Sequence, residues 1–267
     1  MLVRNNDVKI EERKNFMGGK NSIFARHLLE LPQFTGAGRV YFKITIPPMS
    51  SVGYHVHKND SEAYYILEGE GLYNDNGTVV PVKEGDLTFT PDGSGHGLEN
   101  NTDKNLVILA CVLYNFEKDK DLSSLRKIKK AGTLTEITLD HPFNGDGVSH
   151  AIKMMEDDEF TGAGRLYNIV TFPPHCSIGY HQHINESETY YILKGKGIFN
   201  DDGVETEVGE GDVMYTGPGH SHGLANAGDE DLVISALVIF DKENKWYRNK
   251  REVGKKWIYH LKERQPL

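Results

Sequence analysis

Two short stretches hold the residues best able to do chemistry. In "HVHKNDSE", His55 and His57 are separated by one residue and followed by Glu62. In "HQHINESE", His181, His183 and Glu188 repeat the pattern. One more histidine stands well downstream of each stretch, His96 and His222. Along a strand, side chains i and i+2 share a face about 6–7 Å apart. That separation lets two imidazoles reach one ion from adjacent pleats. Three imidazoles and a carboxylate make a nitrogen–oxygen donor set, suited to Mn, Fe, Co, Ni or Zn rather than Ca or Mg. A closed structural site is usually tetrahedral and sulfur-rich. Four protein donors on an octahedral ion leave two positions open for water, dioxygen or a bidentate substrate.

A single HxH is an ordinary polar pattern. Here it recurs with a glutamate and a distant histidine at one constant spacing. The string "FTGAGR" occurs at Phe34–Arg39 and Phe160–Arg165, an offset of 160 − 34 = 126. His55/His181, Glu62/Glu188, His96/His222 and Asn100/Asn226 keep that offset. Residues 34–69 and 160–195 share 23 identities in 36 pairs by direct count. The chain is a tandem duplication of one domain. Between the candidate ligands the copies have drifted: Val56 faces Gln182, Lys58 faces Ile184 and Ala63 faces Thr189.

The elements that must hold these residues read as strands. "VYFKITIPP" and "LYNIVTFPP" are β-branched and aromatic-rich, each closed by a double proline. "EAYYILEGEGLYN" and "ETYYILKGKGIFN" read as strand pairs around a glycine turn. Short strands with turn signals at regular spacing argue for an all-β sandwich or barrel. With Glu62 facing inward, alternation turns Tyr64 and Ile66 inward too. The clearest helical candidate is "DLSSLRKIKKAG", with Leu122, Leu125 and Ile128 at spacing three.

At this point the sequence resembles a known family. The first cupin motif, G(x)5HxH(x)3–4E(x)6G, is met from His55 through His57 and Glu62 to Gly69, and from His181 through His183 and Glu188 to Gly195. Its leading glycine departs: Gly53 and Gly179 stand too close to the histidines, with Ser50 and Cys176 nearer the expected place. The second motif, G(x)5PxG(x)2H(x)3N, is matched by Gly85, Pro91, Gly93, His96 and Asn100. The second copy matches it with Gly211, Gly219, His222 and Asn226, but has Gly217 for the proline, with Pro218 after it. The resemblance covers most of residues 34–113 and 160–239. It implies two tandem double-stranded β-helix (jelly-roll) barrels in one chain, each with a divalent metal, packed like a fused cupin dimer. The expected divisions are a barrel over 1–116, a linker over 117–130, a barrel over 131–240 and an arm over 241–267.

Several other residues offer roles at such a site. Arg39 and Arg165 end the repeated turn and could hold a carboxylate bidentately, though a plain turn is the simpler reading. Tyr64 and Tyr190 face inward and could donate a proton beside a metal. His220 exists only in the second copy, opposite Ser94. Asp60 and Glu186 align as alternative acids, but the family spacing points to Glu62 and Glu188. Cys111 lies in an apolar strand, and Cys176 has no partner for reactivity.

Composition narrows the rest. A net charge of −9 argues against a nucleic-acid binder. Two cysteines without a pairing framework fit a reducing compartment. The polar start and the lack of a long apolar run give no membrane anchor. The arm carries nine Lys/Arg against four Asp/Glu and both tryptophans, Trp246 and Trp257. It reads as a surface strap, or else a clasp for a homodimer. Taken together, the expectation is a cytoplasmic metal protein acting on a small polar metabolite. Isomerisation, decarboxylation and oxygenation are open, and so is simple binding.

Overall fold

A computed structural model describes residues 1–117 and 120–242. The chain folds as two antiparallel β barrels, each built from a seven-stranded and a four-stranded sheet. In the first barrel the larger sheet runs, in spatial order, Lys127–Lys129, Leu87–Thr90, Asp60–Glu68, Leu106–Tyr114, Gly38–Ile46, Ser22–His27 and Ile10–Lys14. The smaller sheet runs Ser51–Val56, Gly95–Glu99, Glu70–Asp75 and Thr78–Lys83. The second barrel repeats this order. Among the described residues no helix is long and apolar enough to cross a membrane. The basic arm from residue 243 onward lies outside the described residues.

Period-two patterning decides which way each side chain goes. In Asp60–Glu68, Tyr64 and Ile66 enter the barrel core, while Ala63, Tyr65 and Leu67 pack between the barrels. The two seven-stranded sheets meet at that second core. Phe34, Tyr41 and Leu109 from one copy face Phe160, Tyr167 and Leu237 from the other. The rings of Tyr41 and Tyr167, equivalent residues, cross edge to face at 5.8 Å. Tyr41 donates its hydroxyl hydrogen to Ser235 Oγ at 2.8 Å, so the buried phenol is satisfied.

The copies also exchange strands. Leu2–Val3 pairs with Val213–Thr216 of the second barrel. Lys127–Lys129 pairs with Leu87–Thr90 of the first. Leu2↔Met214 and Ile128↔Thr88 are the same pairing at the 126-residue offset. The helix expected over "DLSSLRKIKKAG" is therefore a correction. The segment is one 3-10 turn, Ser123–Leu125, followed by the strand Lys127–Lys129. Leu122 and Leu125 at spacing three fit a single turn of that helix and are both buried. Beyond it, the open edge of Leu87–Thr90 offers unpaired backbone groups, and pairing wins over helix propagation. The segment expected as a linker thus contributes a strand to the first sheet.

The inter-barrel core makes a clear prediction. Phe160 is fully buried there. Phe160→Ala should cost about 3–5 kcal/mol, seen as a lower denaturant midpoint. An exposed aromatic such as Phe116, truncated the same way, should cost far less.

Candidate metal centres

The family glycines are used where the backbone turns left-handed. Gly69, Gly85 and Gly93 have φ of 81°, 82° and 83°, and Gly195, Gly211 and Gly219 match them at 88°, 87° and 87°. The missing leading glycine is explained the same way. Its place, six residues before the first histidine of each pair, is taken by Met49 (φ 58°) and His175 (φ 66°), each next to the Ser50 and Cys176 noted in the sequence. The turn keeps its shape, and a side chain bears the αL cost of about 1–2 kcal/mol. Gly53 has another purpose. A Cβ there would stand 2.1 Å from Met17 O, because the hairpin tip Phe16–Gly18 presses on the strand carrying His55. Gly179 stands in the same relation to Phe143 O.

These strands bring eight candidate ligands into two clusters. His55, His57, Glu62 and His96 place one donor atom each within 4.8 Å of one another, as do His181, His183, Glu188 and His222. His55 and His181 are the next-to-last residues of the strands Ser51–Val56 and Ser177–Gln182, with His57 and His183 just beyond the ends. Glu62 and Glu188 come from the adjoining large sheets, and His96 and His222 from the small ones. His96 Nε2 lies 3.1 Å from His57 Nε2, 3.2 Å from His55 Nε2 and 2.9 Å from Glu62 Oε2. In the second cluster His222 Nε2 lies 3.1, 3.2 and 3.0 Å from His183 Nε2, His181 Nε2 and Glu188 Oε2.

The other face of each imidazole shows what this convergence suits. His55 Nδ1–H donates to Gly53 O at 3.0 Å, and His57 Nδ1–H to Asp60 Oδ1 at 2.6 Å. His96 Nδ1 is 3.1 Å from the Tyr73 hydroxyl. With Nδ1 protonated, each Nε2 offers a lone pair, and three lone pairs aimed at one point fit a cation. No lysine or arginine lies within ion-pair distance of Glu62 or Glu188 among the described residues. Burial pushes the Glu62 carboxyl up, but its close contacts with the imidazoles of His55, His57 and His96 outweigh it and hold it well below the usual range. At His96 burial outweighs the raising pull of Glu62 and lowers the imidazole to about 4, whereas at His57 the carboxylates of Asp60 and Glu62 outweigh burial and raise it to about 9; a metal would hold both in the neutral form.

The copies differ around this shared set. Asp60, the first residue of its strand, supports His57 and accepts from Arg39 Nε at 2.8 Å. Glu186 does the same for His183, but at 3.2 Å, while Arg165 grips it bidentately at 2.6 and 2.7 Å. Both arginines thus hold carboxylates of the chain itself. Tyr73 becomes Phe199, and His222 Nδ1 lies 2.9 Å from Thr216 Oγ1 instead. Phe143 stacks on His181, centroids 3.9 Å apart and nearly parallel, where the first copy has Met17. The His181 side chain is 8% exposed, against 16% for His55. Sequence reading missed Phe143 because it stands 38 residues before its contact, in a hairpin without a motif.

The remaining candidates fall as follows. Tyr64 and Tyr190 are buried and stack on His96 and His222 at 4.7 and 4.8 Å. Burial and the adjacent carboxylate push both phenols well above their ordinary value. His220 is exposed at the rim of the second barrel and pairs with Asp202. Asn100 and Asn226, the last residues of the second motif, are structural. Asn100 Nδ2 donates to Ile46 O and Lys104 O, and its Oδ1 accepts from Thr102. Cys111 and Cys176 are buried free thiols.

The supporting acids generate a prediction. Asp60→Asn should weaken divalent-metal binding at the first barrel about 10–100-fold, read by chelator competition with elemental analysis. Glu186→Gln should do less, because Glu186 lies farther from His183 than Asp60 does from His57 and is held by Arg165 through two nitrogens rather than one.

Comparison with known proteins agrees with this geometry. The cupin domain family matches residues 42–112 and 168–240. An oxalate-binding protein of Thermotoga maritima is 40% identical over 113 residues, covering 42% of this chain and 93% of that protein. An uncharacterised protein of Methanocaldococcus jannaschii is 33% identical over 92 residues, covering 34% of this chain and 74% of that one. Among solved structures, protein Ylba from E. coli is similar with a TM-score of 0.62 at 14% identity, covering 88% of this chain and 89% of that one. A variant of Bacillus subtilis oxalate decarboxylase gives 0.60 at 17% identity, covering 90% of this chain and 77% of that one. These last two are likenesses of fold. With both barrels matched and a relative covered almost end to end, the chain belongs to the cupin family and is a bicupin.

Proposed function

We propose that each barrel holds one divalent transition metal through three imidazole Nε2 atoms and one glutamate, and that the chain binds oxalate or a similarly compact dicarboxylate there. The first-barrel ligands are His55, His57, Glu62 and His96; the second-barrel ligands are His181, His183, Glu188 and His222. The observation that carries this reading is the convergence of three Nε2 lone pairs on a buried carboxylate, with every Nδ1 already engaged. The name of the Thermotoga relative supports the ligand.

When bound, the cation supplies Lewis acidity and, if octahedral, two open positions that a bidentate oxygen ligand fills. The chain's residues do the rest. Asp60 and Glu186 fix the tautomers of His57 and His183. Tyr64 and Tyr190 give the ligand histidines a flat apolar wall. Phe143 narrows the approach to the second centre beside His181.

Catalysis is a second reading, favoured by the rim pair His220–Asp202. Decarboxylating oxalate breaks the C–C bond, releases carbon dioxide and places a proton on the remaining carbon. His220, kept oriented by Asp202, is a donor available to the second barrel alone, since Ser94 stands opposite in the first.

Calorimetry on the Mn(II)-loaded protein tests the proposal. Oxalate should bind at about one molecule per barrel, and His96→Ala or His222→Ala should each remove one site. Oxalate binding that survives complete metal removal would sink it. A formate assay separates the two readings: turnover lost in His220→Ala marks an enzyme, and binding without formate marks a binding protein.

A further inference from the structure

The seam between the barrels is closed on one side and open on the other. On strand Ser22–His27, Arg26 stands directly opposite Lys43 of strand Gly38–Ile46. Like charges facing one another across a strand pair are destabilising. Neither is within ion-pair distance of a carboxylate among the described residues. Arg26 spends one nitrogen on the carbonyl and side-chain oxygens of Asn5, and Lys43 Nζ lies 5.8 Å from the Tyr191 ring centre. Both cations line a cavity of about 430 Å³, with Phe24 and Tyr191 among its apolar walls. That volume lies in the range of small-molecule sites.

The duplication supplies a control. At the 126-residue offset, the same cross-strand pair is Ile152↔Ile169. Those isoleucines pack into the inter-barrel core, Ile169 being only 7% exposed. The position therefore has an apolar, filled solution within this very chain. The first copy instead holds two unpaired cations around open space.

We infer that the cavity is a second ligand site, for a small organic anion with a carboxylate head and an apolar body. The planar guanidinium of Arg26 and the ammonium of Lys43 take the head; Phe24 and Tyr191 pack the body. Glu210 also lines the cavity and is in no ion pair among the described residues, so the walls carry one net positive charge. That balance selects a monoanion over a dianion. The site is built by both barrels and is independent of the metal clusters.

The test uses the full chain, with benzoate as the amphipathic carboxylate and inorganic phosphate as the bare oxyanion. Binding is read by saturation-transfer NMR and calorimetry. Benzoate should bind wild type and the metal-site variant His57→Ala/His183→Ala alike. It should bind at least tenfold more weakly to Arg26→Ile/Lys43→Ile, which installs the other copy's residues. Should that double variant not fold, Lys43→Met serves, with at least a threefold loss expected. Retention of benzoate affinity in the seam variants would overturn the inference, as would its loss in the metal-site variant or no binding to wild type. Phosphate binding as tightly as benzoate would overturn the apolar half of it.

Discussion

A carboxylate buried inside a β barrel must be matched by positive charge, and in this chain that demand shapes everything around it. Glu62 and Glu188 are each enclosed by three imidazoles and by no lysine or arginine among the described residues. The imidazoles cannot satisfy one another, since each Nδ1 already has a partner and the Nε2 atoms face each other. A cation at that point of convergence would answer both the carboxylate and the Nε2 atoms. To build this convergence, three strands from two sheets must arrive within a few ångströms. That in turn requires the left-handed turns at the family glycines and the tight crossing at Gly53 and Gly179.

Duplication lets one chain serve as its own comparison. What does not vary between copies is the cage, the turns that aim it and the asparagines that pin the loops. What varies lies one layer out. Asp60 and Glu186, Tyr73 and Phe199, and Met17 and Phe143 change the hydrogen bonding and cover of equivalent histidines. Outer partners tune ligand basicity and access, so the two centres are not chemically equivalent. The exchanged strands at Leu2–Val3 and Lys127–Lys129 bind the two halves into one body. Neither barrel completes its large sheet without a strand that precedes the other barrel in the chain.

Much of this was legible in the sequence because it is local. The HxH spacing, the strand alternation and the 126-residue offset depend only on chain periodicity, and they led to the candidate ligand set, the fold and the duplication. Alternation also told correctly which side of Asp60–Glu68 faces the barrel. It failed at "DLSSLRKIKKAG", where Leu122 and Leu125 at spacing three satisfied a helical pattern for one turn only. Nothing local announced the unpaired edge of Leu87–Thr90 that captures residues 127–129.

The sequence by itself determined the candidate donor set, the barrels and the repeat, because each follows from side-chain type and short-range spacing. Only the tertiary structure decided what surrounds the donors. It turned Arg39 and Arg165 onto Asp60 and Glu186, laid Phe143 on His181, and left Arg26 and Lys43 facing each other over an open seam. Those contacts join residues far apart in the chain. They are set by how sheets pack and strands cross, which no short-range pattern encodes.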